Sequence, residues 1–341
     1  MSVAGETGHV PSPVPRTSPA PACGRCGVPG QLVHGGLEDR ILSAPGTWTT
    51  RECEACGHAW LDPQPHPDDL GQLYQGSYMT HAAAASDAAL GRIEARYLAA
   101  AYGYDASAVA RPRLWMRAVR PLDDLVGGRV CWLPLLRAGR VLDVGCGSGA
   151  FLARMRALGW DVAGVEPDPA AAAAAKRVHG VDVEGTVDGF AGRQFDAITM
   201  HHVIEHLPDP QADVTALAAR LAPGGRLVIV TPNIRSAGRR LFGAHWVHWD
   251  PPRHLWMFSR PALNRVATSA GLVVERSWTT GRYARFVWTA SARIRATGRA
   301  TDEPRTLAQT AGAVAYQLME QALGLMAGDL GEELVVVAKR L

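Results

Sequence analysis

The chain has 341 residues, 47% hydrophobic and 20% charged, which is enough for one large domain with a small one beside it and too few charges for a polyelectrolyte. Its 35 Lys and Arg oppose 32 Asp and Glu, a formal net charge of +3, so the chain as a whole offers no electrostatic case for nucleic acid or an anionic membrane. No apolar run reaches membrane-spanning length, and six cysteines in so long a chain exclude a disulfide scaffold and point to a reducing cytoplasm. Residues 1–20 are rich in Pro, Ser, Gly and Ala, without a basic start or apolar middle; they read as a disordered leader and not as a secretory signal.

Residues 21–62 read as a zinc ribbon. Cys23-x-x-Cys26-Gly27 and Cys53-x-x-Cys56-Gly57 are two copies of one knuckle. Each aims two thiolates at one point, and the glycine allows the positive φ that the turn needs. Four soft ligands suit tetrahedral Zn²⁺ in a closed, structural site, so His58 is not needed as a ligand. Short strands are expected at Gln31–His34, Arg40–Ser43 and Trp48–Arg51. Over residues 21–80, Arg25, Arg40 and Arg51 face seven acids, a net −4. A ribbon that grips phosphates should be basic, so this one reads as a packing module. Residues 63–138 read as a helical linker, and 139–341 as a second domain with insertions at 232–259 and 279–332.

That domain opens on Gly139-Arg-Val-Leu-Asp-Val-Gly-Cys-Gly-Ser-Gly149. A short apolar strand leads into Gly145, Gly147 and Gly149. Phe151, Leu152, Met155 and Leu158 then recur at helical spacing. The glycines let the backbone turn sharply and admit a ligand. Asp143 before the turn would repel a pyrophosphate but can meet an ammonium group, which favours S-adenosylmethionine over a dinucleotide. Glu166 ends the next strand, Asp161–Glu166, where a carboxylate can accept from both ribose hydroxyls. Further strands are expected near Val181–Gly185, followed by Asp188 toward the adenine, and at Phe195–Met200, Arg226–Thr231, Leu272–Trp278 and Glu333–Lys339.

DVGCGSG at 143–149, VEPD at 165–168, FDAITMHHVIEHLPDP at 195–210 and LAPGGRLVIVTPN at 221–233 together resemble the class I S-adenosylmethionine-dependent methyltransferases. The resemblance implies an α/β, Rossmann-like sheet of seven strands with an antiparallel last strand, and Cys146 as a space-filling residue. The ribbon followed by LDPQPHPDDLGQLYQGSYMTH at 61–81 is similar to a bacterial subgroup that includes sugar and natural-product methyltransferases. That likeness implies that Tyr74, Tyr78 and His81 pack over the cofactor.

His201, His202, Glu205 and His206 follow the fourth strand at its carboxyl end, where open α/β sheets bind ligands. His201 is grouped with the cofactor-binding residues. His206 is the candidate general base, with Glu205 orienting it. An alternative takes His202, Glu205 and His206 as a metal site on one helical face. A long aromatic loop follows, with Trp246, Trp249 and Arg253, and His254 is a second candidate base. Between residues 235 and 300, twelve arginines oppose only Asp250 and Glu275, a net +10. Such guanidiniums suit an anionic small-molecule acceptor. Peripheral membrane contact is compatible with the basic stretch and with an apolar helix near Leu307–Met326. The expected activity is C- or O-methylation of a sugar nucleotide, glycan or natural-product intermediate; the alternative substrate is RNA, which the acidic ribbon disfavours.

Overall fold

The computed structural model describes residues 14–74, 91–104, 113–134, 139–300, 305–326 and 328–341. In chain order, β1 (Gln31–Leu37), β2 (Trp48–Glu52) and β3 (His58–Asp62) precede helix α1 (Arg92–Tyr102). Then come β4 (Arg140–Val144), α2 (Ala150–Ala157), β5 (Asp161–Val165), α3 (Pro169–His179), β6 (Asp182–Glu184) and β7 (Phe195–His201). Next are α4 (Pro210–Arg220), β8 (Leu221–Pro232), β9 (Trp256–Phe258), α5 (Arg260–Ser269) and β10 (Val273–Thr280). Helices α6 (Ala284–Thr297) and α7 (Leu307–Met326) and strand β11 (Glu333–Lys339) complete the chain.

Seven strands form one sheet in the order β10-β11-β8-β7-β4-β5-β6. The strands β8, β7, β4, β5 and β6 pair in parallel, and β11 runs antiparallel to both its neighbours. The central strands are covered on both faces, so they are continuous apolar runs rather than alternating ones: Leu227, Val228, Ile229 and Val230 are all buried. One face packs Leu152, Met155 and Trp160 with Leu98 and Trp132; the other packs Val214, Leu217, Leu263 and Val266.

The ribbon sheet differs from the expected one. Arg40–Ser43 is not a strand, because Asp39 accepts hydrogen bonds from the amides of Ile41, Leu42 and Ala44 and curls the chain. The third strand is β3, after the second knuckle, and β9 from the large domain adds a fourth beside it, with Trp256 opposite Trp60 and Phe258 opposite His58. The end of the leader is also ordered: Thr17–Ser18 pairs with Gln64–Pro65, and the Arg16 guanidinium meets Asp69. A third apolar cluster joins Leu37 of the ribbon to Trp246, Val247 and Trp249 of the loop and to Val287 and Ile294 of α6. The ribbon is therefore built into the large domain rather than tethered to it.

Candidate active site

The glycine turn sits at the carboxyl end of β4. Gly145, Gly147 and Gly149 all have positive φ. A Cβ on Gly145 would come within 2.5 Å of the Val203 side chain, so at this position both conformation and space require glycine. Cys146 is buried with its sulfur against Gly164, where a Cβ would lie 2.5 Å away; it fills space. Asp143 is buried under the turn and accepts from the Thr199 hydroxyl at 2.6 Å. Burial, with the Glu166 charge adding to it and the Thr199 hydrogen bond opposing it, raises the Asp143 carboxyl to about 7. Glu166 accepts from the amides of Gly147 at 2.8 Å and Asp168 at 2.9 Å. Each oxygen keeps a second lone-pair direction for a ligand hydroxyl. Asp188 is on a short turn, its side chain 95% exposed and 3.3 Å from Arg220. Tyr78 and His81 lie outside the described residues.

Two histidine groups meet beyond the ends of β7 and β8. In the first, His206 Nδ1 lies 3.0 Å from the Arg253 carbonyl oxygen and 2.9 Å from the Tyr74 hydroxyl. A carbonyl can only accept, so Nδ1 carries the proton and the neutral ring keeps its lone pair on Nε2. Burial and the neighbouring His254 push the His206 pKa down to about 4. His254 repeats the arrangement, giving its Nδ1–H to the His248 carbonyl at 2.7 Å. The rings of His206 and His254 meet edge-on, with centroids 4.7 Å apart.

In the second group His202, at φ +55°, is held between two fully buried carboxylates, Glu205 at 3.1 Å and Glu333 at 2.7 Å. Burial opposes its ionisation, but these two acids outweigh it and raise His202 to about 9. Glu205 also accepts from Thr231 at 2.9 Å. The ring of His201 instead faces Arg282, 2.6 Å away, and burial together with that cation lowers it to about 4. Tyr283 closes over both rings, and His248 stacks on His202. Buried Glu333 Oε2, His248 Nε2 and Arg282 Nε have no hydrogen-bond partner among the described residues. The metal grouping proposed from spacing is redistributed, because His202 turns toward Glu333. The side chains whose ligand atoms converge within 4.8 Å are instead His201 with His202 and Glu333, and Glu205 with His206 and His254.

Spacing alone missed Glu333 and Tyr283; His248 belongs to the expected aromatic loop and Arg282 to the expected basic stretch, though neither was given a specific role. Two glutamates heading an otherwise apolar strand, Glu332-Glu333-Leu-Val-Val-Val, were the available signal for Glu333. Arg253 reverses its expected role. It is fully buried, binds Asp39 through both terminal nitrogens at 2.8 and 2.6 Å, and also pairs with Asp250. Arg235 and Arg239 pair with Glu52, and Arg265 donates to the Cys56 carbonyl. Four of the twelve arginines in the basic stretch are thus held by the ribbon and not open to a ligand.

In the ribbon itself the four Sγ atoms fall within 4.8 Å of one another. The measured edges are 3.5 Å for Cys23–Cys56, 3.4 Å for Cys26–Cys53 and 3.8 Å for Cys26–Cys56. Zn–S bonds of about 2.3 Å in a tetrahedron require sulfur–sulfur edges of about 3.8 Å. Both knuckles are closed by the same hydrogen bonds, Gly27 to Cys23 and Gly57 to Cys53, each 2.8 Å.

A family described as a methyltransferase domain matches residues 129–277. A ubiquinone biosynthesis O-methyltransferase from Xanthomonas oryzae pv. oryzae is 34% identical over 175 residues, 47% of this chain and 70% of that protein. One of the same name from Alkalilimnicola ehrlichii is 34% identical over 177 residues, 46% and 71% of the two chains. Among solved structures, an S-adenosylmethionine-dependent methyltransferase from Mesorhizobium loti aligns with a TM-score of 0.42 at 17% identity, covering 62% of this chain and 96% of that one.

Proposed function

This chain belongs to the class I S-adenosylmethionine-dependent methyltransferases, and on that premise we propose that it methylates a hydroxyl group of a small polar molecule, with His206 as general base. The observation that carries the reading is the Nδ1–H of His206 fixed on the Arg253 carbonyl, which leaves Nε2 as a proton acceptor. S-adenosylmethionine, when bound, supplies the electrophilic methyl group. Gly145, Gly147, Gly149, Asp143 and Glu166 would hold it; buried Asp143, with a hydroxyl for its partner, suits the cofactor's ammonium group. Asp188, with its side chain in solvent, is the weakest of the cofactor contacts expected from sequence. His201 borders the cofactor side from the end of β7. His206 takes the acceptor proton, and Glu205 stabilises the imidazolium that results. His248 Nε2, which has no hydrogen-bond partner among the described residues, and the ion pair of Arg282 Nε with Glu333 Oε2 at 3.8 Å suit an acceptor carrying several hydroxyls, as a sugar, a glycan or a phenolic intermediate does. Oxygen is favoured over carbon as the acceptor atom by the named activity of the relatives. His206→Ala should lower turnover by about 10²–10⁴ while cofactor affinity by calorimetry is unchanged; undiminished turnover would overturn the assignment.

A second reading has its own support. His206 and His254 each anchor Nδ1 on a backbone carbonyl, as a metal-bound histidine does to fix its tautomer and ring orientation, and Glu205 converges with them. A divalent cation held there would bind the acceptor oxygen. Metal analysis separates the two readings. The four thiolates, which we infer hold a structural Zn²⁺, account for one equivalent. A second equivalent lost in His254→Ala supports the metal; a single equivalent rejects it. RNA as substrate is disfavoured, because the ribbon is acidic and the arginines nearest it are already paired. Reduced thiols at the inferred zinc site suit a cytoplasmic location.

A further inference from the structure

Helix α7 has its polarity reversed. A surface helix ordinarily buries its apolar stripe and shows its charges to water. Here the buried face holds Tyr316 and Glu320 along with Ala313. Leu307, Val314, Leu318 and Met319 are 90, 38, 61 and 42% exposed, and the exposed positions between and after them are alanines. From residue 307 to 322 no exposed position of this helix is polar. The face is too regular to be scattered surface leucines, and a contiguous apolar patch marks an interaction site.

The surroundings indicate what the face meets. α6 packs against α7 and exposes Arg285 and Arg295, with Arg299 just beyond its end and Arg305 just before α7. Between residues 282 and 319 six arginines oppose only Asp302 and Glu303. A second copy of the chain fits poorly. One face of a 20-residue helix covers about 30 Å by 10 Å, well short of the roughly 800 Å² per partner of a stable interface, and symmetry would bring two arginine-bearing helices together. An apolar stripe on a helix packed against an arginine-bearing one instead matches an anionic bilayer surface, with the helix lying in the interface plane. No described helix is long and apolar enough to cross a membrane.

We propose that the outer face of α7, with the arginines of α6 beside it, docks the protein on an anionic lipid surface. The proposal does not depend on the roles given to the histidines. It is tested by sedimentation with vesicles of phosphatidylcholine alone and of phosphatidylcholine mixed with phosphatidylglycerol. The full chain should bind the mixed vesicles at least tenfold more tightly than the neutral ones, and more weakly as salt rises. Leu318→Gln with Met319→Gln should remove binding to both. Arg285→Glu with Arg299→Glu should remove roughly thirtyfold of the affinity for the anionic vesicles. These positions are exposed, and unchanged cofactor affinity in the same variants verifies the fold. Failure to sediment with either vesicle, or equal binding to both, overturns the proposal. So does a dimer that the Leu318 and Met319 changes dissociate.

Discussion

Asp143 shows how burial sets the chemistry of one residue. Its carboxyl, ordinarily near 3.8, is raised to about 7 by burial under the glycine turn. The folded state therefore holds this proton more tightly than the unfolded one, and its contribution to stability falls as pH rises from about 4 through about 7. Binding of a cationic ligand group favours the ionised form. Cofactor affinity measured by calorimetry should weaken by about tenfold per pH unit below pH 6, and Asp143→Asn should flatten that dependence. His202 has the opposite sign. Raised to about 9 between Glu205 and Glu333, it contributes stability that is complete below pH 6.5 and lost as pH rises through about 9. Glu333→Gln leaves that cation one buried carboxylate fewer, at a cost of about 3–5 kcal/mol in urea denaturation.

Among the elements, β9 has the widest consequences. It pairs with β3 of the ribbon, and the residues just before it serve the site: the Leu255 amide donates to the Glu205 carbonyl at 2.8 Å, and the Arg253 carbonyl accepts a hydrogen bond from His206 Nδ1–H at 3.0 Å. Asp39 holds the Arg253 side chain from the ribbon side. Burial alone would raise the Asp39 carboxyl, but the Arg253 guanidinium and the backbone amides of Ala44 and Ile41 bring it below its usual range. Asp39→Ala leaves the buried Arg253 guanidinium with Asp250 as its remaining carboxylate and should cost about 1.5–3 kcal/mol, read as a lower urea midpoint. Turnover should fall with it, because the carbonyl that orients His206 belongs to the same residue.

For the whole molecule, the ribbon and the catalytic sheet form one packed body, so loss of the zinc proposed at the four thiols should be felt far from them. Chelation strong enough to strip the four cysteines should lower Tm and turnover together. The glycine turn is outside the ribbon, so cofactor affinity by calorimetry should survive. Everything that depends on neighbours along the chain was legible in the order of its residues. The glycine spacing, the apolar strands, the paired CxxC-Gly knuckles and the bounds Leu307–Met326 all follow from local φ/ψ preferences and periodicity. The segment charges were legible too, −4 in the ribbon and +10 in the basic stretch, but not their purpose. Arg253 meets Asp39 across 214 positions, and His202 meets Glu333 across 131. A free arginine and a buried structural one are the same letter in the sequence. Only the tertiary structure, by choosing which charges share a water-free interior, decided that the basic loop closes on its own ribbon and that the last strand supports the histidines.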